Sequence, residues 1–100
     1  MPSTVIIPIY NAAASLGRCL ESLGRHGAGV SDLLLIDDAS PDLAIAQMLA
    51  SLPELPAPHR ILRNASNQGF VGSVNRGIAA TNDDVLLLNS DAGVAEGWLD

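Results

Sequence analysis

The sequence predicts an α/β fold in which helices flank a parallel sheet. Short apolar runs alternate along the 100 residues with segments whose apolar residues recur every three or four positions. Continuous runs rich in branched apolar residues are typical of strands buried on both faces, and their alternation with helices indicates a parallel sheet with right-handed crossovers. Polar residues directly follow several of the runs, and such sheets bind ligands outside the carboxyl ends of their strands. We therefore expect one domain, residues 1–100, with one site at that edge.

The chain begins with a predicted strand and helix. Residues 4–9 form a β-branched run that ends at Tyr10-Asn11, and we place this strand at the centre of the sheet. A stripe at i, i+3, i+4 and i+7 then predicts a helix. Its core-facing residues are Leu16, Cys19, Leu20 and Leu23. Because Cys19 belongs to this stripe, we expect it to pack in the core and not to act as a nucleophile.

A second strand and a short helix follow. Residues 32–36 form an apolar run that ends on Asp37-Asp38, and residues 44–52 predict the helix. One interpretation of the two aspartates is that they only form a turn, which is common at strand ends. The other is that one carboxylate accepts hydrogen bonds from the N–H of a base or from a ribose hydroxyl, since an ionised carboxylate is an acceptor only.

The third and fourth strands differ in polarity. Residues 60–63 alternate in polarity, which predicts a strand at the sheet edge. Residues 84–88 are nearly all apolar, so we expect a strongly buried strand there. The helix between them is predicted from a stripe spaced by four, formed by Phe70, Val74 and Ile78.

Two polar motifs border these later elements. Asn89-Ser90-Asp91 follows the fourth strand and is either a turn or a ligand set for Mg²⁺ or Mn²⁺, which favour carboxylate oxygens. The Asn67-x-Gly69 motif precedes the third helix. Gly69 either permits an unusual backbone angle or marks a helix N-terminus whose N–H groups face an anionic ligand. The glycine spacing matches neither a dinucleotide fingerprint nor a P-loop.

The charge and composition limit the possible partners and location. The formal net charge of −6 argues against nucleic acid and makes a bound metal the expected neutraliser of a phosphate ligand. A single cysteine excludes an internal disulfide and fits a reducing cytoplasm. No apolar stretch approaches the ~20 residues that span a bilayer, and no signal-peptide pattern follows Met1. We expect a cytoplasmic protein.

Together, these motifs resemble family 2 of the glycosyltransferases, which have the GT-A fold with a Rossmann-like nucleotide-binding half. Residues 5–11 match the family's strand followed by Pro-x-Tyr-Asn, residues 16–23 its Leu-x-x-Cys-Leu-x-Ser-Leu helix and residues 37–42 its Asp-Asp-x-Ser-x-Asp. The bacterial rhamnosyltransferase-like subgroup, which acts on cell-surface polysaccharides, is matched by residues 67–70, 75–77, 88–91 and 97–99.

The resemblance implies a role for each matched position. The nucleotide would be bound by Pro8, Tyr10, Asn11, Asp37, Asp38, Asn75, Asn89 and Ser90. Asp91 would bind the divalent metal, Mg²⁺ or Mn²⁺, on the diphosphate. Two departures weaken the match: Asn89 replaces the first aspartate of the family's Asp-x-Asp, and Val74 stands where many relatives carry an arginine.

The resemblance also implies the reaction. The full enzyme would transfer a sugar from a nucleotide-diphospho-sugar donor to a hydroxyl of a glycan or lipid-linked acceptor, at the cytoplasmic face of the membrane. Because the family's catalytic base would lie beyond Asp100, we expect a truncated, inactive portion that self-associates through apolar surface near Trp98 and the last strand. Two alternatives remain: a non-catalytic nucleotide-binding or regulatory module, and a nucleotidyltransferase, although the latter normally needs a Gly-rich loop with Lys or Arg.

Overall fold

Four strands and three helices alternate along the chain in the computed structural model, which describes residues 3–26, 29–81 and 84–88. In chain order they are β1 (Ser3–Ile9), α1 (Ala13–His26), β2 (Asp32–Asp37), α2 (Leu43–Ala50), β3 (His59–Arg63), α3 (Gly69–Ala79) and β4 (Asp84–Leu87). The predicted α/β class is confirmed, and each predicted strand differs from the observed one by a single residue at one or both ends.

The four strands form one parallel sheet in the order β3-β2-β1-β4. The predicted interior position of β1 and the predicted edge position of β3 are therefore confirmed. The register pairs Ile9 with Asp37, and Asp37 with Arg63. Three strands thus end level with one another, so the residues that follow them meet at one edge of the sheet.

Helices cover both faces of the sheet. On one face, α1 and α2 pack against alternate residues of β1 and β2, and the predicted stripe Leu16, Cys19, Leu20 and Leu23 is buried there. Cys19 is a buried thiol that is not part of a disulfide, as its place in the stripe predicts. On the other face, α3 lies over Ile6, Leu34 and Ile36. Among the described residues, no helix is both long and apolar enough to cross a membrane.

The buried face of α3 includes only part of the stripe that predicts this helix. Val74 is buried, but Phe70 is 53% exposed and Ile78 is 49% exposed. Small residues make the actual contact, because a Cβ on Gly77 would lie 2.9 Å from methyl groups of both Ile6 and Ile36. The helix predicted from this stripe is confirmed, but it approaches the sheet too closely for all three large side chains to be buried beneath it.

The fourth strand is much less buried than its sequence predicts. Leu86 is 38% exposed and Leu87 is 51% exposed, whereas Leu88 is buried. In the described part of the chain, β4 pairs with β1 alone and lies at an edge of the sheet. An edge strand has one open side, so apolar character alone did not guarantee burial. Trp98 lies outside the described residues, and the expected self-association stays a prediction.

Candidate functional site

The candidate site lies at the carboxyl edge of the sheet, where β1, β2 and β3 end. Tyr10, Asp38 and Asn64 follow these three strands directly. Backbone hydrogen bonds extend the sheet by one step there: the Asp38 N–H donates to the Ile9 carbonyl at 2.8 Å, and the Asn64 N–H donates to the Asp37 carbonyl at 2.9 Å. The predicted convergence of polar strand ends is thus present for the first two strands, and Asn64 joins them.

Asp38 is the most heavily hydrogen-bonded carboxylate of this edge. It is 4% exposed. Its oxygens accept hydrogen bonds from the Asn64 side-chain amide at 2.8 Å, the Gln68 N–H at 2.7 Å and the Gly69 N–H at 3.0 Å. One side chain at the end of β2 therefore holds the loop that leads from β3 into α3.

The protonation of Asp38 follows from the same contacts. Burial by itself would raise the pKa of this carboxyl, because the charged form loses its hydration. Hydrogen bonds to the charged form outweigh burial and hold the pKa of Asp38 below its ordinary value. In decreasing order the donors are the Gln68 N–H, the Asn64 amide, the Gly69 N–H and the Ser73 hydroxyl. The carboxylate is therefore ionised at neutral pH.

The N–H groups at the start of α3 already bind an anion, the carboxylate of Asp38. The Gly69 N–H is shared between Asp38 and the Asn67 side-chain oxygen, at 3.0 and 2.9 Å, and the Gln68 N–H also donates to Asp38. Gly69 has a φ of 76°, a conformation that glycine adopts without strain. The backbone-angle interpretation of Gly69 is therefore confirmed, and these two N–H groups bind an internal carboxylate.

Asp37 stabilises the turn that follows β2. It is 2% exposed, and its Oδ1 accepts a hydrogen bond from the Ser40 N–H at 2.9 Å. The Arg63 guanidinium lies 3.8 Å from Oδ2, and its side chain is 61% exposed. This long contact in a hydrated position contributes little to stability. Asp37 thus acts as the turn former of the Asp-Asp pair.

Asn11 joins the end of β1 to the start of α2. It has a φ of 54°, in the left-handed region that asparagine tolerates better than most residues. Its N–H donates to the Ser40 hydroxyl oxygen at 2.9 Å, and its side-chain oxygen accepts from the Asp42 N–H at 3.1 Å. Asp42 in turn caps α2 by accepting from the Ala44 N–H at 2.9 Å. Asn11 therefore fixes the backbone beside Tyr10.

Tyr10 and Pro8 differ in their access to a ligand. Tyr10 is 49% exposed directly after β1, so its ring borders the edge of the sheet. Pro8 lies within β1 opposite Ile36 and is half-buried. The ring of Tyr10 thus offers the largest accessible apolar surface among the predicted nucleotide-binding residues that the structure describes.

Asn64 is a site residue that the sequence prediction missed. It is 3% exposed, and its amide donates to Asp38 and also to the Ser73 hydroxyl at 3.0 Å. Its side-chain oxygen accepts from the guanidinium of Arg76. The signal was available, because Asn64 directly follows an apolar strand, as Tyr10 and Asp38 do.

The remaining predicted residues are not part of this network. Asn75 is exposed on α3, and the hydrogen bonds that link Asp38 and Asn64 to their neighbours do not involve it. Asn89, Ser90 and Asp91 lie outside the described residues. Within residues 3–26, 29–81 and 84–88, no three His, Cys, Asp or Glu side chains lie close enough to hold a metal. The assignment of Mg²⁺ or Mn²⁺ to Asp91 therefore stays a prediction.

A comparison of the sequence with known protein families shows which family the chain belongs to. The family described as "Glycosyl transferase family 2" matches residues 4–100. The chain belongs to glycosyl transferase family 2. The family predicted from the motifs is thereby confirmed, whereas its rhamnosyltransferase-like subgroup stays a prediction.

Individual relatives agree with the family. The chain is similar to the "PGL/p-HBAD biosynthesis glycosyltransferase" of Mycobacterium bovis BCG, at 36% identity over 96 residues that cover 93% of the chain and 36% of the relative. It is 30% identical over 88 residues to an uncharacterized glycosyltransferase of Haemophilus influenzae, which covers 88% of the chain and 28% of the relative. This family 2 chain thus spans about a third of the length of such relatives.

Solved structures show the same fold. The chain matches S. aureus TarS 1–349 with a TM-score of 0.76 at 22% identity, covering 96% of this chain and 29% of that one. The same protein in complex with UDP-GlcNAc matches with a TM-score of 0.77 at 21% identity, covering 99% of this chain and 29% of that one. The family 2 chain therefore has the α/β architecture of GT-A structures, as predicted.

Proposed function

We propose that this chain forms the nucleotide-sugar-binding part of a family 2 glycosyltransferase and binds a nucleotide-diphospho-sugar at the carboxyl edge of its sheet. The observation that carries the proposal is the level ending of β1, β2 and β3, which brings Tyr10, Asp38 and Asn64 together. Parallel sheets bind ligands at this edge. The structural match to a protein solved with UDP-GlcNAc supports a uridine nucleotide as the first donor to test.

Each edge residue has a proposed part in binding. The exposed ring of Tyr10 provides a flat surface for the base, and Asn11 fixes the backbone beside it. Pro8 supports the ring from within β1, and Asn75, Asn89 and Ser90 complete the nucleotide contacts.

Asp38 is a special case, because a carboxylate has about four acceptor positions. Its four internal donors use them, so a ligand N–H reaches Asp38 by displacing one.

The proposed reaction belongs to the longer enzyme. The acceptor hydroxyl of a glycan or lipid-linked substrate would attack the anomeric carbon of the donor sugar, and the bond to the diphosphate would break. A divalent metal held by Asp91 would stabilise the negative charge of the leaving diphosphate. Because the chain spans only about a third of such relatives, we propose that it binds the donor and that sugar transfer needs groups of the longer enzyme.

A second candidate is a nucleotide-binding module without transferase activity. Asn89 favours it, because a neutral amide replaces the first carboxylate of the family's Asp-x-Asp. Both candidates require nucleotide binding at the same edge. They differ in whether the longer protein releases the sugar from the bound donor, which an assay of that protein would decide.

Replacing Tyr10 with alanine tests the proposed base contact. We expect titration calorimetry with UDP and Mg²⁺ to show binding weakened by about 1–2 kcal/mol, the scale of a lost base-stacking contact. His59→Ala is the matched control, since His59 is an exposed ring-bearing side chain at the start of β3, at the opposite edge of the sheet. Equal affinities of Tyr10→Ala and the wild type would exclude the proposed role of Tyr10.

A further inference from the structure

An open cleft of about 400 Å³ lies between the end of β3 and the outer side of α3. It is lined by Arg63, Asn64, Ala65, Gln68, Gly72 and Arg76. None of the predicted nucleotide-binding residues that the structure describes lines it. The cleft nevertheless borders the candidate site. The two share Asn64, the Asn64 amide and the Gln68 N–H both donate to Asp38, and Arg63 lies 3.8 Å from Asp37.

The cleft concentrates positive charge in an acidic protein. The chain has a net charge of −6, and its five basic residues are all arginines. Two of these, Arg63 and Arg76, line this one cleft. Arg63 has only the 3.8 Å contact with Asp37, and among the described residues no carboxylate lies within salt-bridge distance of Arg76. Much of the positive charge in the cleft is therefore not neutralised within the described part of the fold.

The guanidinium of Arg76 is held in place by a hydrogen bond to Asn64. Its Nη1 donates to the side-chain oxygen of Asn64, which is itself fixed by Asp38 and Ser73. A guanidinium has five N–H donors, so the remaining ones can bind an anion. A side chain that is ordered before binding loses less conformational entropy when the ligand binds. The planar guanidinium can also donate two parallel hydrogen bonds to two oxygens of a phosphate.

The space in the cleft depends on a glycine. A Cβ on Gly72 would lie 2.8 Å from the Cβ of Gln68, which is closer than such atoms approach one another. Without a side chain, Gly72 leaves one wall of the cleft as bare backbone. The wall between Gln68 and Arg76 therefore stays open to a small polyoxyanion.

We propose that this cleft binds a phosphate group, with Arg63 and Arg76 as its two cationic ligands. The chemistry is that of a phosphate ester, either from the donor nucleotide or from a separate phosphorylated ligand. The guanidinium of Arg76 is already held in place and donates two N–H groups to the phosphate. The Arg63 side chain is 61% exposed and binds the phosphate from the end of β3. The proposal goes beyond donor binding at the sheet edge and holds without it.

The test is a titration of the chain with inorganic phosphate and then pyrophosphate, followed by NMR of the arginine side-chain N–H groups. We expect shifts at Arg63 and Arg76, and about tenfold weaker binding for Arg63→Gln and for Arg76→Gln, the scale of a lost charged hydrogen bond. Arg18→Gln is the matched control, because Arg18 is an exposed arginine on α1 whose guanidinium donates to the Ser15 hydroxyl. It should bind as the wild type does.

Two further measurements identify the source of the phosphate and allow for unfolding of one variant. Repeating the titration with saturating UDP identifies the source: competition assigns the phosphate to the donor nucleotide, and unchanged binding assigns it to a separate ligand. Within the part of the chain that the structure describes, the Arg63 guanidinium has only the 3.8 Å contact with Asp37, so Arg63→Gln remains informative if Arg76→Gln unfolds. Absence of phosphate and pyrophosphate binding, or equal binding by Arg63→Gln and the wild type, would overturn the proposal whether or not UDP binds at the sheet edge.

Discussion

Replacing Asp38 with alanine is expected to lower the free energy of unfolding by about 2–4 kcal/mol. The change removes the acceptor of the Gln68 N–H. It also removes one of two acceptors of the Asn64 amide and one of two acceptors of the Gly69 N–H. Buried donors without acceptors cost more than the net value of the bonds themselves. Urea unfolding, followed by circular dichroism, measures the loss.

Asp42→Ala is the matched control for this prediction. Asp42 also accepts a backbone N–H at the start of a helix, but it is exposed and serves α2 alone. Its loss should cost about 1 kcal/mol, the usual value of an N-cap. Asp38→Ala and Asp42→Ala losing the same stability would show that the Asp38 network is no more than a helix cap.

Acid should reproduce part of the Asp38→Ala effect in the wild type. Because the native pKa of Asp38 is lowered, its contribution to stability is complete above the unfolded pKa of about 3.9. It is then lost as the pH falls through the lower native pKa. Asp38→Ala should therefore lose less stability than the wild type between neutral pH and pH values below this range. Parallel acid profiles for the two proteins would contradict the assigned ionisation.

Removing divalent metal should weaken binding of a nucleoside diphosphate on the order of 100-fold, or about 2.8 kcal/mol. A chain with a net charge of −6 repels a bare diphosphate, and a cation bridged to Asp91 would offset that repulsion. Asp91→Asn should remove both the metal dependence and most of the binding, because Asn89 supplies no second charge. Calorimetry with Mg²⁺, with Mn²⁺ and with a chelator measures these effects.

Asp84→Asn is a suitable control for the metal prediction. Asp84 is an exposed carboxylate at the start of β4, whereas the candidate site lies at the carboxyl ends of the strands. The substitution changes the net charge by the same amount as Asp91→Asn, yet the metal dependence should persist. Tight binding in the chelator would remove the role of Asp91, and sugar release by this chain would show that it already contains the catalytic groups.

Much of the fold was predictable because strands and one helix carry strong local signals. Continuous apolar runs located β1, β2 and β4, and alternating polarity located β3. The regular stripe of α1 identified buried residues such as Leu16 and Cys19. The candidate edge was predictable for the same reason: in a parallel sheet, residues that directly follow strands meet at one edge. Tyr10 and Asp38 were found from that rule alone, without knowledge of the loops.

The errors arose where burial depends on partners distant in the sequence. The stripe of α3 contains no information on how closely Gly77 approaches the sheet, so it located the helix but not the exposure of Phe70 and Ile78. The exposure of Leu87 follows from the edge position of β4, which its apolar sequence does not encode. Asn64 was overlooked because its weaker strand was treated as a mere edge, although the same strand-end rule applies to it.

Mapping the binding of UDP-GlcNAc with Mg²⁺ onto the backbone amides would test whether this edge is the nucleotide site. The chain has 100 residues and a mass of 10.3 kDa, which suits two-dimensional nitrogen–proton NMR. We predict the largest shifts at residues 10–12, 38–40 and 64–69, where the ends of three strands meet. Little change is expected at the starts of the strands, near Asp32, His59 and Asp84. Saturable shifts confined to those strand starts, or the absence of any shift at millimolar nucleotide, would contradict the proposed site.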